Sequence, residues 1–339
     1  PVLKQLWGRL AAPLLHRSDP AMFAMIRWAL STAEVVRRID PDVIEAADFV
    51  GGGFGAIEAR VPLVVRAHCP RVLFSRANRM PTRLIHRVVD HFERYVFSRA
   101  DFVSSPSRAM TAVLGRWTLR RPAVTTPNFV RVPEVCPQPP PASPKRVVCL
   151  ARLEPLKGQD TIVAAFASIA ARHPDAQLCL AGGDRWPGGF AKQIDAAVRD
   201  ESVRRRIVLC GQLTAEATQD LLRSATVAVV ASRGFESFSM AALEAMAAGR
   251  PTIVSDCGAL PELVDDATGV VFHANDVPAL AAALDRVLSD PASAAAMGEA
   301  AWRPARERYD VGPLVDRIIG LYRRAIGCPG LNRPRTSAA

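Results

Sequence analysis

From Arg146 onward, short apolar runs rich in β-branched residues alternate with amphipathic stretches of helical period. The runs Arg146–Leu150, Gln177–Ala181, Arg206–Cys210, Ala225–Ala231, Thr252–Ser255 and Gly269–Phe272 show no clean apolar–polar alternation, as expected of strands covered on both faces. Between them, residues 158–171, 189–200, 214–223 and 239–248 read as helices. A further helix starts at Pro261, and helices at 277–289 and 311–326 close the chain. Strictly alternating strand and helix predicts a parallel, doubly wound sheet of the α/β class.

The N-terminal part is less regular. Met22, Met25, Ile26, Ala29, Leu30, Ala33 and Val36 recur at near-helical spacing after Ser18-Asp19-Pro20, so residues 1–39 read as helices. Asp42–Ala47 and Pro62–Ala67 read as strands. Between them Gly51-Gly-Gly-Phe-Gly55 opens a helix. Its glycine spacing matches neither a Walker loop nor a dinucleotide fingerprint, so it reads as a turn ahead of a phosphate cradle. A helix over 82–99, a strand over Ala100–Ser105 and a helix capped by Ser107 and running to about Trp117 follow, and Ala123–Asn128 leads out. Pro133–Pro144 then holds six prolines in twelve residues, a stiff linker. The expected division is an N-terminal domain over 1–132, the linker over 133–144, a C-terminal domain over 145–305, a last helical segment over 306–327 and a disordered tail over 328–339.

At 339 residues the chain is long enough for two domains, and 49 % hydrophobic content is globular. No apolar run approaches the ~18 residues of a membrane span. The first residues lack a cleavable apolar core, so a cytoplasmic location is the expectation. Seven cysteines show no Cys-x-x-Cys pairing, and Cys149, Cys179 and Cys210 fall in apolar strand-like runs, as small buried side chains do. The six histidines have no ligand spacing. Asp40-Pro-Asp42 has an Asp-x-Asp form, which its proline and the adjoining strand make an inter-element turn. The net charge of +10 lies wholly in residues 1–145, which hold 21 Lys and Arg against 11 Asp and Glu. The remainder is balanced at 22 of each. Arg71, Arg76, Arg79, Arg83 and Arg87 fall within seventeen residues. This asymmetry fits an anionic partner, either an acidic membrane surface or a phosphorylated acceptor, and equally a set of solvated arginines. Nucleic acid is disfavoured, because aromatic content is only 6 % and no recognition motif is present.

The stretch Ala225–Gly249 concentrates the chemistry. A strand, a turn broken by Gly234 and an Ala-, Leu- and Met-rich helix ended by Gly249 place free amides and the positive dipole end of a helix near Ser237, Phe238 and Ser239, at the strand's carboxyl edge. That is an anion site suited to a diphosphate. Glu236 stands just before it, within reach of a group attached to the phosphate. Glu244, about two turns along, is the only charge between Phe238 and Gly249, and a ribose diol would partner it. A plain strand–helix unit with one solvent-facing glutamate fits the same residues. Arg152 and Lys157 follow the strand Arg146–Leu150, where two cations can clasp a diphosphate or simply line an exposed basic loop. Gly182, Gly183 and Gly211 end strands, where small residues admit a nucleotide or make an ordinary turn.

Gly234-Phe-Glu-Ser-Phe-Ser-Met-Ala-Ala-Leu-Glu-Ala-Met-Ala-Ala-Gly-Arg-Pro251, followed by Ser255-Asp-Cys-Gly258 and Pro261-Glu262, resembles the Glu-x7-Glu signature of family 4 retaining glycosyltransferases. Arg152-Leu-Glu-Pro-Leu-Lys157-Gly158, Leu180-Ala-Gly-Gly-Asp184 and Gly211-Gln-Leu213 agree in order. The resemblance is strong from about Val147 to Tyr309 and weaker before. It implies a GT-B fold: two Rossmann-like domains, with parallel doubly wound sheets facing a cleft and the last helix crossing back to the first domain. It further implies transfer of a sugar from a nucleoside-diphosphate sugar to a saccharide or lipid-linked acceptor, in cell-surface polysaccharide or glycolipid synthesis, without a metal or other cofactor. The protein would be cytoplasmic or peripheral on the inner face of the membrane. Arg152, Lys157 and the amides of Ser237–Ser239 would take the diphosphate, with Gly183 and Gly211 beside the nucleotide. Glu236 would hold the sugar and Glu244 the ribose. His68, in Arg66-Ala-His68-Cys-Pro70, matches a family histidine near the donor sugar, although a lone histidine is as often structural. Asn128 matches the family's domain-exit asparagine. A nucleotide-sugar epimerase and an inactive GT-B binding subunit are the alternatives.

Family members begin with a strand, a Gly-rich turn and a helix. Here Val2–Leu10 reads as helix, and the first recognisable strand, Asp42–Ala47, resembles a later one. The expectation is a fragment or natural truncation lacking that first unit.

Overall fold

The computed structural model describes residues 19–77 and 83–327. It divides into two units: the chain up to Pro127 together with Val315 onward, and Asn128–Leu314. The expected helix over Val2–Leu10, Arg79 and the tail from 328 lie outside the described residues.

In the first unit the elements are α1 (Pro20–Ile39), β1 (Ile44–Ala47), α2 (Phe54–Ala59), β2 (Leu63–Arg66), α3 (Arg71–Ala77), α4 (Leu84–Arg99), β3 (Phe102–Ser105), α5 (Arg108–Leu114) and β4 (Val124–Thr125). The four strands are parallel and stand in chain order. The Asp19 carboxylate accepts the amide of Met22 (3.0 Å) and Pro20 occupies the first turn, which starts α1. Phe23, Ile26, Ala29 and Ala33, three or four residues apart, form its buried face. Asp40 closes it in the left-handed region (φ 49°), the turn expected of Asp40-Pro-Asp42. Among the described residues no group of His, Cys, Asp and Glu is placed to hold a metal.

Arg71 corrects one part of the charge pattern. It is 6 % exposed and ion-pairs with Asp90, so it belongs to the interior, while Arg76, Arg83 and Arg87 are exposed. The helix α3 was not expected either. It is short and flanked by prolines that read as turn signals.

The second unit holds β5 (Lys145–Leu150), α6 (Gln159–Ile169), β6 (Ala176–Ala181), α7 (Phe190–Ala197), α8 (Glu201–Arg204), β7 (Ile207–Gly211), α9 (Ala215–Arg223), β8 (Val227–Val230), α10 (Met240–Ala247), β9 (Thr252–Ser255), α11 (Leu260–Leu263), β10 (Gly269–Phe272), α12 (Val277–Ser289) and α13 (Pro291–Arg308). Its six strands are parallel in the order β10-β9-β8-β5-β6-β7. Val147, Leu178, Val227 and Val229 pack on one side with Phe166 and Leu284, while Val148, Cys179 and Ala228 pack on the other with Leu222 and Ala245. Both faces of the inner strands β9, β8, β5 and β6 are covered, which is why they show no alternation in sequence. The edge strands depart from that expectation: Val208 and Leu209 of β7 and Val271 of β10 are exposed.

The Pro-rich stretch read as a linker belongs to this unit. Arg250, 1 % exposed, donates to the carbonyls of Gln138 and Pro137, and the indole of Trp302 donates to Pro133 (3.2 Å). The final helix α14 (Val311–Gly327) starts in the second unit and continues into the first, where Leu321 and Ala325 join Val64 and Phe102, and the Tyr322 hydroxyl donates to Glu45 (2.8 Å). It begins at Val311, as read for 311–326, while the first residues of the expected last segment over 306–327 belong to the end of α13 at Arg308 and the turn after it. That helix left no clear hydrophobic signal: its buried face is Ala294, Gly298, Ala301 and Ala305. A Cβ at Gly298 would lie 2.2 Å from the Gly249 carbonyl oxygen, so a small residue is what lets the helix seat there.

Candidate active site

Strand order in the second unit reverses between β5 and β8. The chain winds outward from β5 through β6 and β7, then crosses to β8, β9 and β10. The loops leaving the carboxyl ends of β5 and β8 therefore diverge around a crevice, the usual ligand position in an open α/β sheet. The loop after β5 carries Arg152 and Lys157, and the loop after β8 carries Glu236 and leads into α10.

A cavity of about 190 Å³ occupies this crevice, with Lys157, Ser232, Glu236, Phe238 and Ser239 on its walls and the first residues of α10, Met240 and Ala241, at its end. The Ser239 side chain caps α10 by accepting the amide of Ala242 (3.2 Å). The amides of Met240 and Ala241 have no acceptor within the helix, so they and the dipole end face the cavity their residues line. Ser237 lies in the turn between two lining residues. Phe238 sets its ring edge-on to Tyr309 (centroids 6.0 Å apart), as a packing anchor.

Lys157 donates its ammonium to Oε1 of Glu236, so the cation and carboxylate taken separately from the sequence form one ion pair. The Ser232 hydroxyl donates to the same oxygen at 2.5 Å. Arg233 rivets the two loops together: its amide donates to the Leu156 carbonyl (2.8 Å), and its guanidinium reaches the Pro155 carbonyl (3.1 Å), the Thr161 hydroxyl (2.7 Å) and Asp160 (2.6 Å). Gly158 makes the turn after Lys157 possible. It has φ +67°, and a Cβ there would stand 2.1 Å from the Ala231 carbonyl oxygen. Gln159 is fully buried and its amide donates to the Arg152 carbonyl (2.8 Å), fixing the start of the same loop. Arg152 points outward, 60 % exposed at its side chain, against Glu154 (3.1 Å). Below the cavity, burial pushes the Cys149 thiol up to about 12, so it acts as a small apolar side chain.

A second, wider cavity of about 510 Å³ adjoins the first and shares Leu150, Ala151, Met240 and Ala241 with it. Arg152, Gly183, Arg185, Gln212 and Glu244 line it. The Glu244 carboxylate has no hydrogen-bond partner among the described residues, and its burial raises its pKa above the ordinary glutamate value. Gly211 (φ +65°) sets up the turn just before Gln212 rather than lining the cavity itself.

His68 belongs to the first unit, in the loop leaving β2. It is exposed, yet its surroundings desolvate the ring enough to lower its pKa, and Arg66 lowers it further against an opposing effect of Glu45. Beneath the loop, the Asp48 carboxylate takes the backbone amides of His68 and Cys69 (2.9 Å to the latter). Glu93, 1 % exposed, takes those of Val50 (3.0 Å) and Arg71 (3.1 Å). Burial pushes Asp48 up to about 6 and Glu93 up to about 8. Neither acid, nor Ser232, Arg233 or Gln212, stood out in sequence. Ser232 has one available signal, its place four residues before Glu236.

A family model described as glycosyl transferases group 1 matches residues 137–303, and one described as a glycosyl transferase 4-like domain matches residues 5–129. The chain is 32 % identical over 160 residues to the GDP-mannose-dependent monoacylated alpha-(1-6)-phosphatidylinositol monomannoside mannosyltransferase of Corynebacterium glutamicum, a match covering 45 % of this chain and 40 % of that protein. The chain thus spans less than half the length of that curated relative. It is 28 % identical to the D-inositol 3-phosphate glycosyltransferase of Acidothermus cellulolyticus, over 93 % of this chain and 74 % of that one. Among solved structures, the Anabaena HepE protein in complex with UDP-glucose superposes with a TM-score of 0.74 at 19 % identity, over 87 % of this chain and 82 % of that one, a likeness of fold. With two parallel α/β sheets, the crevice at the strand-order reversal and both family models matched in turn, the chain belongs to glycosyltransferase family 4 and has the GT-B fold.

Proposed function

We propose that the protein is a retaining glycosyltransferase that moves a sugar from a nucleoside-diphosphate sugar to a saccharide or lipid-linked acceptor. The observation that carries this reading is the convergence of Lys157, Glu236 and the amino end of α10 on one cavity at the strand-order reversal. Relatives whose names specify GDP-mannose and a structure holding UDP-glucose support a nucleotide-sugar donor.

In this reading Lys157, Arg152 and the amides at the start of α10 neutralise charge that grows on the departing diphosphate, with no metal required. The adjoining cavity takes the nucleoside, with Glu244 on the ribose diol. Glu236 holds sugar hydroxyls and sets C1 for attack. Transfer goes by the front face: the acceptor oxygen bonds to C1 as the C1–O bond to the diphosphate breaks, and the leaving phosphate takes the acceptor's proton. No second flanking carboxylate is needed, in contrast to a glycosidase. His68 is assigned to the sugar on the resemblance of its loop alone. The acceptor is placed in cell-surface polysaccharide or glycolipid synthesis, with the protein cytoplasmic and peripheral on the inner membrane face. Among the described residues no helix is long and apolar enough to cross a membrane.

Thermal shift against nucleoside diphosphates and their sugars tests the donor, since a ligand that binds only the folded state raises its melting temperature. NMR of the product then reads the anomeric configuration. An inverted product overturns the mechanism, and no shift with any nucleotide overturns the site.

A further inference from the structure

We infer that Ser232 is a positioning residue for Glu236 and that the two oxygens of that glutamate have separate roles. The inference rests on the reading that Glu236 meets the donor sugar. Oε1 is committed internally, accepting both the Ser232 hydroxyl (2.5 Å) and the Lys157 ammonium. Oε2 has no partner among the described residues and is left for a ligand hydroxyl.

The anchor is itself held. Ser232 is 1 % exposed, and its carbonyl accepts the hydroxyl of Ser255, which is 0 % exposed, at 2.7 Å. The glutamate's backbone is fixed from the other side. Its carbonyl accepts the amide of Ala259 (2.7 Å), and Gly258 lies so close that a Cβ there would stand 2.2 Å from that carbonyl oxygen. Both ends of the Glu236 side chain are therefore set before a ligand arrives, and the ordering cost is met in folding rather than in binding.

The two donors to Oε1 differ in what else they can do. Lys157 is also the nearest cation for a diphosphate, and phosphate oxygens compete for its ammonium. The Ser232 hydroxyl, 1 % exposed and already donated to the carboxylate, carries no charge to draw a phosphate away. It keeps Oε1 in place, and hence Oε2 aimed at the sugar, while Lys157 turns to the diphosphate.

Calorimetry with UDP, GDP, UDP-glucose and GDP-mannose tests this on the full chain. The native protein should bind at least one diphosphate sugar more tightly than its diphosphate. Ser232→Ala should leave diphosphate affinity within about twofold and remove most of the sugar's increment, roughly tenfold, as Glu236→Gln does. The double variant should lose no more than either single one. Ser232→Cys, which fills the space with a weaker donor, should fall between. A Ser232→Ala protein that keeps the sugar increment, that loses diphosphate and sugar affinity alike, or whose loss adds to that of Glu236→Gln overturns the inference. So does a native protein with no sugar increment. Failure to bind any of the four overturns the functional reading, and this inference with it.

Discussion

At the scale of single residues, the site is a set of charges whose partners decide their use. Lys157 sits 22 % exposed at its side chain against Glu236, so its removal has two effects: a cation is lost, and Oε1 of Glu236 keeps only Ser232. Lys157→Ala should weaken nucleoside diphosphate binding by roughly 1.5–3 kcal/mol, the worth of a charge-assisted contact, and leave nucleoside binding nearly unchanged. Glu244→Ala should weaken nucleoside and diphosphate equally. Calorimetry that finds the reverse assignment would exchange the roles of the two cavities. The buried acids of the first unit bear on stability instead. Glu93, desolvated by burial and facing the carboxylates of Asp48 and Asp90, has its folded pKa raised from 4.5 to about 8 against the opposing effect of the Val50 and Arg71 amides. Between those values the folded chain holds a proton that the unfolded chain has released, so stability falls as pH rises, by at most about 1.4 kcal/mol per pH unit. Asp48, raised to about 6, adds to the slope below that pH. Urea midpoints should therefore drop from pH 6 to pH 8, and Glu93→Gln should flatten that drop. A midpoint that rises with pH in the native protein contradicts the burial argument.

At the scale of elements, legibility followed the strength of the hydrophobic signal. Strand β10 and helix α12 stand where the sequence put them, because a short apolar run followed by a wide apolar stripe is unambiguous over 269–289. The helix α13 escaped notice because alanine and glycine make its contact. The pairing of Lys157 with Glu236 was not legible, since 79 residues separate them and only the crossing from β5 to β8 brings them together. The glycines were legible as turns, but not in rank. Gly158 and Gly211 both have positive φ, +67° and +65°. A Cβ at 158 meets the Ala231 carbonyl oxygen at 2.1 Å, whereas one at 211 meets nothing within 4 Å. Gly211→Ala should cost only the left-handed strain, about 1–2 kcal/mol. Gly158→Ala must also push apart the loops after β5 and β8, so it should lower the melting temperature more and abolish diphosphate binding. Equal melting temperatures for the two variants would show that the Gly158 turn yields more easily than its contacts imply.

At the scale of the whole molecule, the excess charge and one exposed apolar stripe fall in the same part of the chain. Residues 1–145 carry the entire excess of +10. Helix α1 buries Phe23, Ile26, Ala29 and Ala33, and on its other side Met25, Trp28, Val35 and Ile39 recur at helical spacing while 36 %, 64 %, 54 % and 68 % exposed. Leu84, 61 % exposed, begins α4 beside exposed Arg83 and Arg87. If the proposed placement on a membrane holds, α1, with a second, solvent-facing apolar stripe and arginines such as Arg27 and Arg38 at its flanks, is the element that would lie in the lipid interface. Anionic headgroups contribute about 1 kcal/mol per arginine near the surface, and the apolar stripe adds area that salt does not screen. The two contributions can be separated. Co-sedimentation with phosphatidylglycerol-containing vesicles should exceed that with phosphatidylcholine alone and should fall, without vanishing, as salt rises. Replacing Trp28 and Ile39 together by Ser should remove the salt-resistant part, and replacing Arg83 and Arg87 by Gln should remove much of the lipid-charge dependence. Neither pair is among the residues that line the two cavities, so nucleotide binding should stay as in the native protein. Vesicle binding that ignores both lipid charge and the Trp28 and Ile39 replacements would mean that the stripe and the arginines are solvated surface, and that the acceptor is met away from a membrane.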